Sequence, residues 1–321
     1  MSIELPFLKA ICWQTADIKQ LTPAEMLSRY EQGWHYRGVL GQPSSEELVW
    51  IAEISQSYGS WLATEVKTKY PQLKELPREE TIPGMMQRDI HQKILIILSN
   101  LKAEFFSKCG AFFGGGTLIS LQHGEYRQSK DIDFLCPVGA GYRLLRQEVA
   151  RVGYDALFQS QKDITLRGDI RANQYGVRFP VAIDDTIIKF EIVCEGRISF
   201  GEPVYHPWSV VPCLNQIDSC AEKLLANADR WNDASVQSRD LIDLAIQRTA
   251  APLPPAAIDK AETAYPVIEP LHKAIRYFHS HPEFRDKCFR SLQVQTPEII
   301  IEGLYLLAAD FAVELAPNEQ E

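Results

Sequence analysis

The chain lacks the marks of several large protein classes. No apolar run approaches the roughly 18 residues needed to span a bilayer, which argues against a membrane protein. The N-terminus carries an early Glu4 and no basic leader stretch, so it makes a poor secretory signal. Cysteine is sparse and unpaired in pattern: the seven are scattered and no two stand in a CxxC spacing. Neither a zinc site nor a disulfide framework is expected, and the cysteines read as buried apolar thiols in a reducing cytoplasm. Positive charge is also short. With 33 Lys and Arg against 42 Asp and Glu, the net charge of −9 argues against indiscriminate nucleic-acid binding, which needs many phosphate contacts. One local exception is His272–Arg290, where Lys273, Arg276, Arg285, Lys287 and Arg290 outnumber Glu283 and Asp286. Its two readings are a solvated helical face and a local basic surface.

The segment Phe112–Phe134, FFGGGTLISLQHGEYRQSKDIDF, carries most of the information. Residues two apart on a strand point the same way, so Asp131 and Asp133 share one face while Ile132 and Phe134 take the other. Carboxylates side by side repel each other unless a cation sits between them. Oxygen-only ligands favour Mg2+ or Mn2+. Upstream, Gly115, Gly116 and Thr117 open a short helix at Thr117–His123, where backbone N–H groups can approach an anion. Phosphate cradle, short helix and acidic strand, in that order, suggest metal-dependent nucleotidyl transfer. Arg127, Ser129 and Lys130 lie on the expected approach to the phosphates, with Ser129 the better donor and Lys130 ranked low.

Around this segment the composition divides the chain. Residues 1–70 read as helical and rich in aromatics, with Thr22-Pro23-Ala24-Glu25 and Ser44-Ser45-Glu46-Glu47 as helix starts. Residues 71–86 carry prolines and alternating charge, the composition of a linker. Residues 87–212 form an α/β unit. A single amphipathic helix is expected over Gln87–Lys108, and strands over Ala111–Phe113, Asp131–Cys136, Ile164–Ile170, Tyr175–Ile183 and Ile187–Cys194. Asp184-Asp185 turns the last hairpin. Residues 213–321 read as helices throughout, and no internal repeat is visible.

A two-aspartate strand needs a third acid from a neighbour, and Glu191 in IIKFEIV is the candidate. The alternative is that Glu191 pairs with Lys189 or another base. In the helical part, Lys223 sits in the apolar run of Ala221–Ala226. Asp240 and Asp243 lie three apart, on adjacent helix faces. Read alone, Lys223 snorkels and Asp240 pairs with Arg230 or Arg239.

Together these stretches resemble the nucleotidyltransferases of the AbiEii/AbiGii toxin family, in the DNA polymerase β-like superfamily. The motifs are Gly115-Gly116-Thr117, Arg127-x-Ser129-x-Asp131-Ile132-Asp133, Glu191, Glu222-Lys223-Leu224 and Asp240-Leu241-Ile242-Asp243. The resemblance covers about Gly110–Arg248. It implies an α+β fold: a polymerase β-like core with a small mixed sheet, flanked by an N-terminal helical segment and a C-terminal helical bundle. It implies transfer of a nucleoside monophosphate from an NTP to an acceptor hydroxyl, with tRNA 3′ ends as acceptors and an antitoxin protein as partner. Asp131, Asp133 and Glu191 would hold Mg2+ or Mn2+, with Asp133 assisting deprotonation. Gly115, Gly116, Thr117 and Lys223 would hold the β- and γ-phosphates, and Lys223 and Asp240 would contact the nucleotide or assist the transfer. A small-molecule or protein acceptor, or a non-catalytic nucleotide-binding protein, are the alternatives. Glu191 stands where the family commonly has Asp, Gly114 is an extra glycine, and the N-terminal helical segment lies outside the family core.

Overall fold

A computed structural model of the chain describes residues 5–12, 18, 21–58, 60–70 and 86–315. Nearly all of the expected linker, residues 71–86, lies outside them. Among the described residues no helix is long and apolar enough to cross a membrane.

The first helices are α1 (Pro6–Ile11), α2 (Pro23–Gly33), α3 (Ser45–Ser57) and α4 (Leu62–Lys69). The α2 start is a capping box, with the Thr22 hydroxyl accepting from the Glu25 N–H and the Glu25 carboxylate accepting from the Thr22 N–H. Glu47 of α3 is fully buried because it caps another helix. Its carboxylate accepts from the N–H groups of Phe7 and Leu8 and from the Tyr30 hydroxyl. Phe7, Tyr30, Trp34, Trp50 and Ile51 belong to a core cluster confined to these helices.

The expected Gln87–Lys108 helix is two, α5 (Asp89–Ser99) and α6 (Ala103–Cys109). The break falls at Asn100–Lys102. The Asn100 side chain donates to the Ile96 and Lys162 carbonyls, and the Lys102 N–H donates to Leu157. Both take backbone partners outside the helical ladder.

Next come β1 (Phe112–Gly114), α7 (Gly115–Gln122), β2 (Ile132–Pro137), α8 (Ala140–Val152), β3 (Thr165–Leu166), β4 (Arg171–Ala172), β5 (Gly176–Ile183) and β6 (Thr186–Glu195). The sheet runs β1-β2-β6-β5-β3, with β4 also on β5. The β2–β6 pair is parallel and every other pair is antiparallel. Asp184 turns the β5–β6 hairpin with φ of 48°. Of the expected Ile164–Ile170 strand only Thr165–Leu166 forms, and the short β4 follows beyond its end. Gly168 takes φ of 75°, and the Arg167 and Gly168 carbonyls accept from the Tyr154 hydroxyl rather than from a ladder.

One sheet face is apolar. Phe134, Phe190 and Phe179 stack in sequence across it, with centroids 5.5 and 4.6 Å apart, against α5, α6 and α8. The chain closes with α9 (Gln216–Arg230), α10 (Arg239–Ala250), α11 (Pro255–Ala264), α12 (Ile268–Ser280), α13 (Pro282–Ser291) and α14 (Pro297–Asp310). These share a core that also takes Ile119 of α7 and Tyr126. The whole is α+β, with a small mixed sheet flanked by helices on either side in sequence.

Candidate active site

The β1–α7 turn and β2 meet through two glycines. Gly115 opens α7 with φ of 70°, and a Cβ there would lie 2.7 Å from Asp133 Oδ2. A Cβ at Gly116 would lie 2.1 Å from the Arg127 guanidinium. A side chain at 115 would be strained and would displace the carboxylate. One at 116 would displace the arginine. The helix begins at Gly115, two residues earlier than the expected Thr117–His123.

Asp131 immediately precedes β2, and Asp133 lies within it. The parallel register pairs Asp133 with Glu191 on β6, so strand parity places the third acid beside the second on one face. Burial, then the charge of Asp131, push the Asp133 carboxyl up to about 6, with Glu191 adding to the rise and Lys189 and Lys223 opposing it. Glu191 behaves oppositely. Burial pushes it up, but ion pairs to Lys189 and Arg178 outweigh that and hold it below the usual carboxylate range. Arg178 faces it directly across the β5–β6 register. Glu191 therefore lies beside Asp133 in the register and is at the same time paired with two bases.

Among the described residues no three His, Cys, Asp or Glu side chains converge as ligands of one metal ion. Glu191 is paired with Arg178 and Lys189. Asp131 and Asp133 still fit a hard divalent cation. Burial is the main cause of the rise at Asp133 and the neighbouring Asp131 charge the second, a charge that a cation would offset, and Mg2+ is commonly held by one or two carboxylates together with substrate phosphates.

Behind the acids lies a buried ionic cluster. Lys223 Nζ sits 2.9 Å from Asp240 Oδ1 and 2.6 Å from Asp243 Oδ2. Arg230 donates to both oxygens of Asp240, at 2.6 and 3.0 Å. Arg127 grips Asp243 bidentately at 2.6 and 2.9 Å, and the Tyr126 hydroxyl also donates to Asp243. Three cations against two carboxylates leave one positive charge uncompensated beside the acids. Burial pushes both Asp240 and Asp243 up, but Lys223 with Arg230, and Arg127 with Lys223, hold them below the usual range.

Several expected contacts take a different form. Arg127 is 2% exposed and serves as a strut to Asp243, rather than lying open on the approach to the phosphates. Thr117 is fully buried. Its hydroxyl donates to the Asp131 carbonyl at 2.6 Å and lies 2.8 Å from Ser129 Oγ, so it positions the acidic strand. The Ser129 N–H reaches His91 Nε2 at 3.3 Å, while His91 Nδ1 lies 2.7 Å from Glu125. Lys130 is exposed. The sequence reading missed Arg178 as a site residue, as well as the central place of Asp243. Asp243 had a signal in its spacing from Asp240; Arg178 had none, because its partner lies across a hairpin. A cavity of about 360 Å³ lies at the opposite end of α7, around Gln122 and His123, and touches none of the acids.

Residues 96–273 match the sequence model of the family described as nucleotidyl transferase AbiEii toxin, type IV TA system, more than half of the chain. Two solved structures are similar. One is a proposed nucleotidyltransferase from H. pylori, 17% identical, covering 69% of this chain and 93% of that one, with a TM-score of 0.42. The other is JHP933 from Helicobacter pylori, 17% identical, covering 70% and 93%, with a TM-score of 0.40. No curated protein sequence matches the chain.

Proposed function

This chain belongs to the AbiEii nucleotidyl transferase toxin family of type IV toxin–antitoxin systems, and from that premise we propose that it transfers a nucleoside monophosphate from an NTP to an RNA hydroxyl, with tRNA as the acceptor. The observation that carries the reading is the register that sets Glu191 beside Asp133, with Gly115 of the α7 turn packed against the Asp133 carboxylate.

Asp131 and Asp133 would hold Mg2+, which when bound stabilises charge on the triphosphate and eases ionisation of the attacking hydroxyl. The α7 N-terminus at Gly115, Gly116 and Thr117 presents backbone N–H groups to the phosphates. Asp133 takes the proton of the acceptor hydroxyl. The freed oxygen forms a bond to the α-phosphorus, the α–β bridging P–O bond breaks, and pyrophosphate leaves with that electron pair. Lys223 and Arg230, tied to Asp240, supply positive charge without moving.

RNA is favoured as acceptor by the surface of α12 and α13. Lys273, Arg276, Lys287 and Arg290 are exposed, while Arg285 turns inward to the Phe278 and His279 carbonyls. The end of α13 adjoins the loop before the acids: Leu292 accepts from the Gln128 N–H at 2.8 Å, and the Gln293 carbonyl accepts from Arg88 at 2.8 Å. The test is incubation with Mg2+, total tRNA and each of the four α-labelled NTPs. Label on tRNA supports the reading and names the nucleotide. Label on the protein, or on a small molecule when cell extract is added, overturns RNA as acceptor.

A further inference from the structure

The paired register of β2 begins at Ile132, so Asp131 stands just outside the ladder that holds Asp133. The chain ahead of it is held by a line of hydrogen bonds that starts on α5. His91 lies in the first turn of that helix and is fully buried. Its ring fits between the Glu125 carboxylate and the Ser129 N–H.

What each partner can do fixes the protons along this line. A backbone N–H only donates, so His91 Nε2 accepts from Ser129 at 3.3 Å. Nδ1 then carries the ring proton and donates to Glu125 at 2.7 Å. Thr117 has one hydroxyl proton, and the Asp131 carbonyl, which only accepts, takes it at 2.6 Å. The Ser129 hydroxyl, 2.8 Å away, therefore donates to Thr117. α5 and α7 thus grip the same residue, two positions before Asp131.

Glu125 is itself tied down on several sides. Its carboxylate also accepts from the N–H groups of Gln87 and Arg88, at the start of α5. Burial pushes the carboxyl up, but His91 and these two N–H groups hold it below the usual range. Its backbone takes φ of 58°, a costly conformation for a residue other than glycine. The fold accepts that cost at the residue that orients His91.

We infer that His91, held by Glu125, is a positioning residue of the active site: it fixes the chain ahead of Asp131 and so sets how tightly Asp131 and Asp133 hold a divalent cation, which rests on reading those two acids as cation ligands. The test is titration of the full chain with Mn2+ alone, followed by electron paramagnetic resonance of the free ion, on wild type, His91→Asn and His91→Gln. An asparagine amide reaches the place of Nδ1 and stops short of Ser129. A glutamine amide is one carbon longer and offers its oxygen to the Ser129 N–H. The half-saturating Mn2+ concentration reports on folded molecules, so a loss of stability alone leaves it in place.

His91→Asn raises that concentration about tenfold, the worth of one neutral hydrogen bond, and His91→Gln stays within about threefold of wild type. Where His91→Asn does not fold, Ser129→Ala, at a half-buried position, cuts the next bond in the line and gives a rise of the same order. An unchanged midpoint in the folded variant overturns the inference. So does an equal rise in His91→Gln and His91→Asn, which would make the ring a packing residue alone. No Mn2+ binding by the wild type, or binding that Asp131→Asn retains in full, overturns the reading of the acids and this inference with it.

Discussion

At Gly115 the absence of a side chain lets α7 close against the carboxylate of Asp133. Gly115→Ala would face a left-handed backbone and a 2.7 Å contact together. The expected outcome is a folded protein, destabilised by about 1–3 kcal/mol. Its turnover should fall on the order of 100-fold, the usual consequence of displacing a catalytic group by about 1 Å. Thermal melting and labelled-NTP transfer measure the two effects separately. Asp243 offers a contrasting case. Asp243→Asn would leave Arg127 buried beside a neutral partner, and breaking such a pair costs about 3–5 kcal/mol. Urea unfolding should show that loss; a change below about 1 kcal/mol would mean the bidentate contact contributes little. At this scale the sequence revealed the acids and their spacing, because i, i+2 parity is local. It misassigned Arg127, whose partner lies 116 positions away. Nothing near Arg127 in sequence signals whether its charge meets a phosphate or a buried carboxylate.

Among the elements, β2 and β6 were legible because apolar residues flank Asp133 in one and alternate with Lys189 and Glu191 in the other, and that alternation also singled out Glu191. Breaks caused by side chains were not legible. The α5–α6 interruption depends on Asn100 reaching Lys162, 62 residues away, and the shortened strands depend on Tyr154 taking carbonyls from the ladder. The segment containing His206 makes a prediction at this scale. Burial lowers His206 from 6.5 to about 4 in the folded protein, so the unfolded chain binds its proton first as pH falls. The neutral ring's contribution is therefore full above about pH 6.5 and is lost between there and about pH 4. The loss from this residue is ~3 kcal/mol at most. Denaturation midpoints across that window should drop for the wild type and drop less for His206→Gln. An equal drop in both would exclude His206 as the source.

For the molecule as a whole, we propose that residues 1–70, 87–212 and 213–321 act as three units, with 71–86 joining the first to the second. The cluster of Phe7, Tyr30 and Trp50 is separate from that of the sheet, which supports independent folding of the first unit. The second and third are interlocked, since Ile119 and Tyr126 pack into the helical core. The overall charge of −9 masks the local basic run of α12 and α13, and the fold brings the end of α13 to the loop before the acids. Reversing Lys273, Arg276 and Arg290 to Glu should weaken labelling of tRNA and flatten its salt dependence, while NTP binding persists. Unchanged tRNA labelling would remove that face from the acceptor site. The most direct test of the central claim is release of pyrophosphate from an NTP by wild type and Asp133→Asn, with Mg2+ present and then chelated, in the presence of tRNA. The account predicts release only from the wild type and only with the cation. Release by Asp133→Asn at the wild-type rate, or release unaffected by chelation, would contradict it.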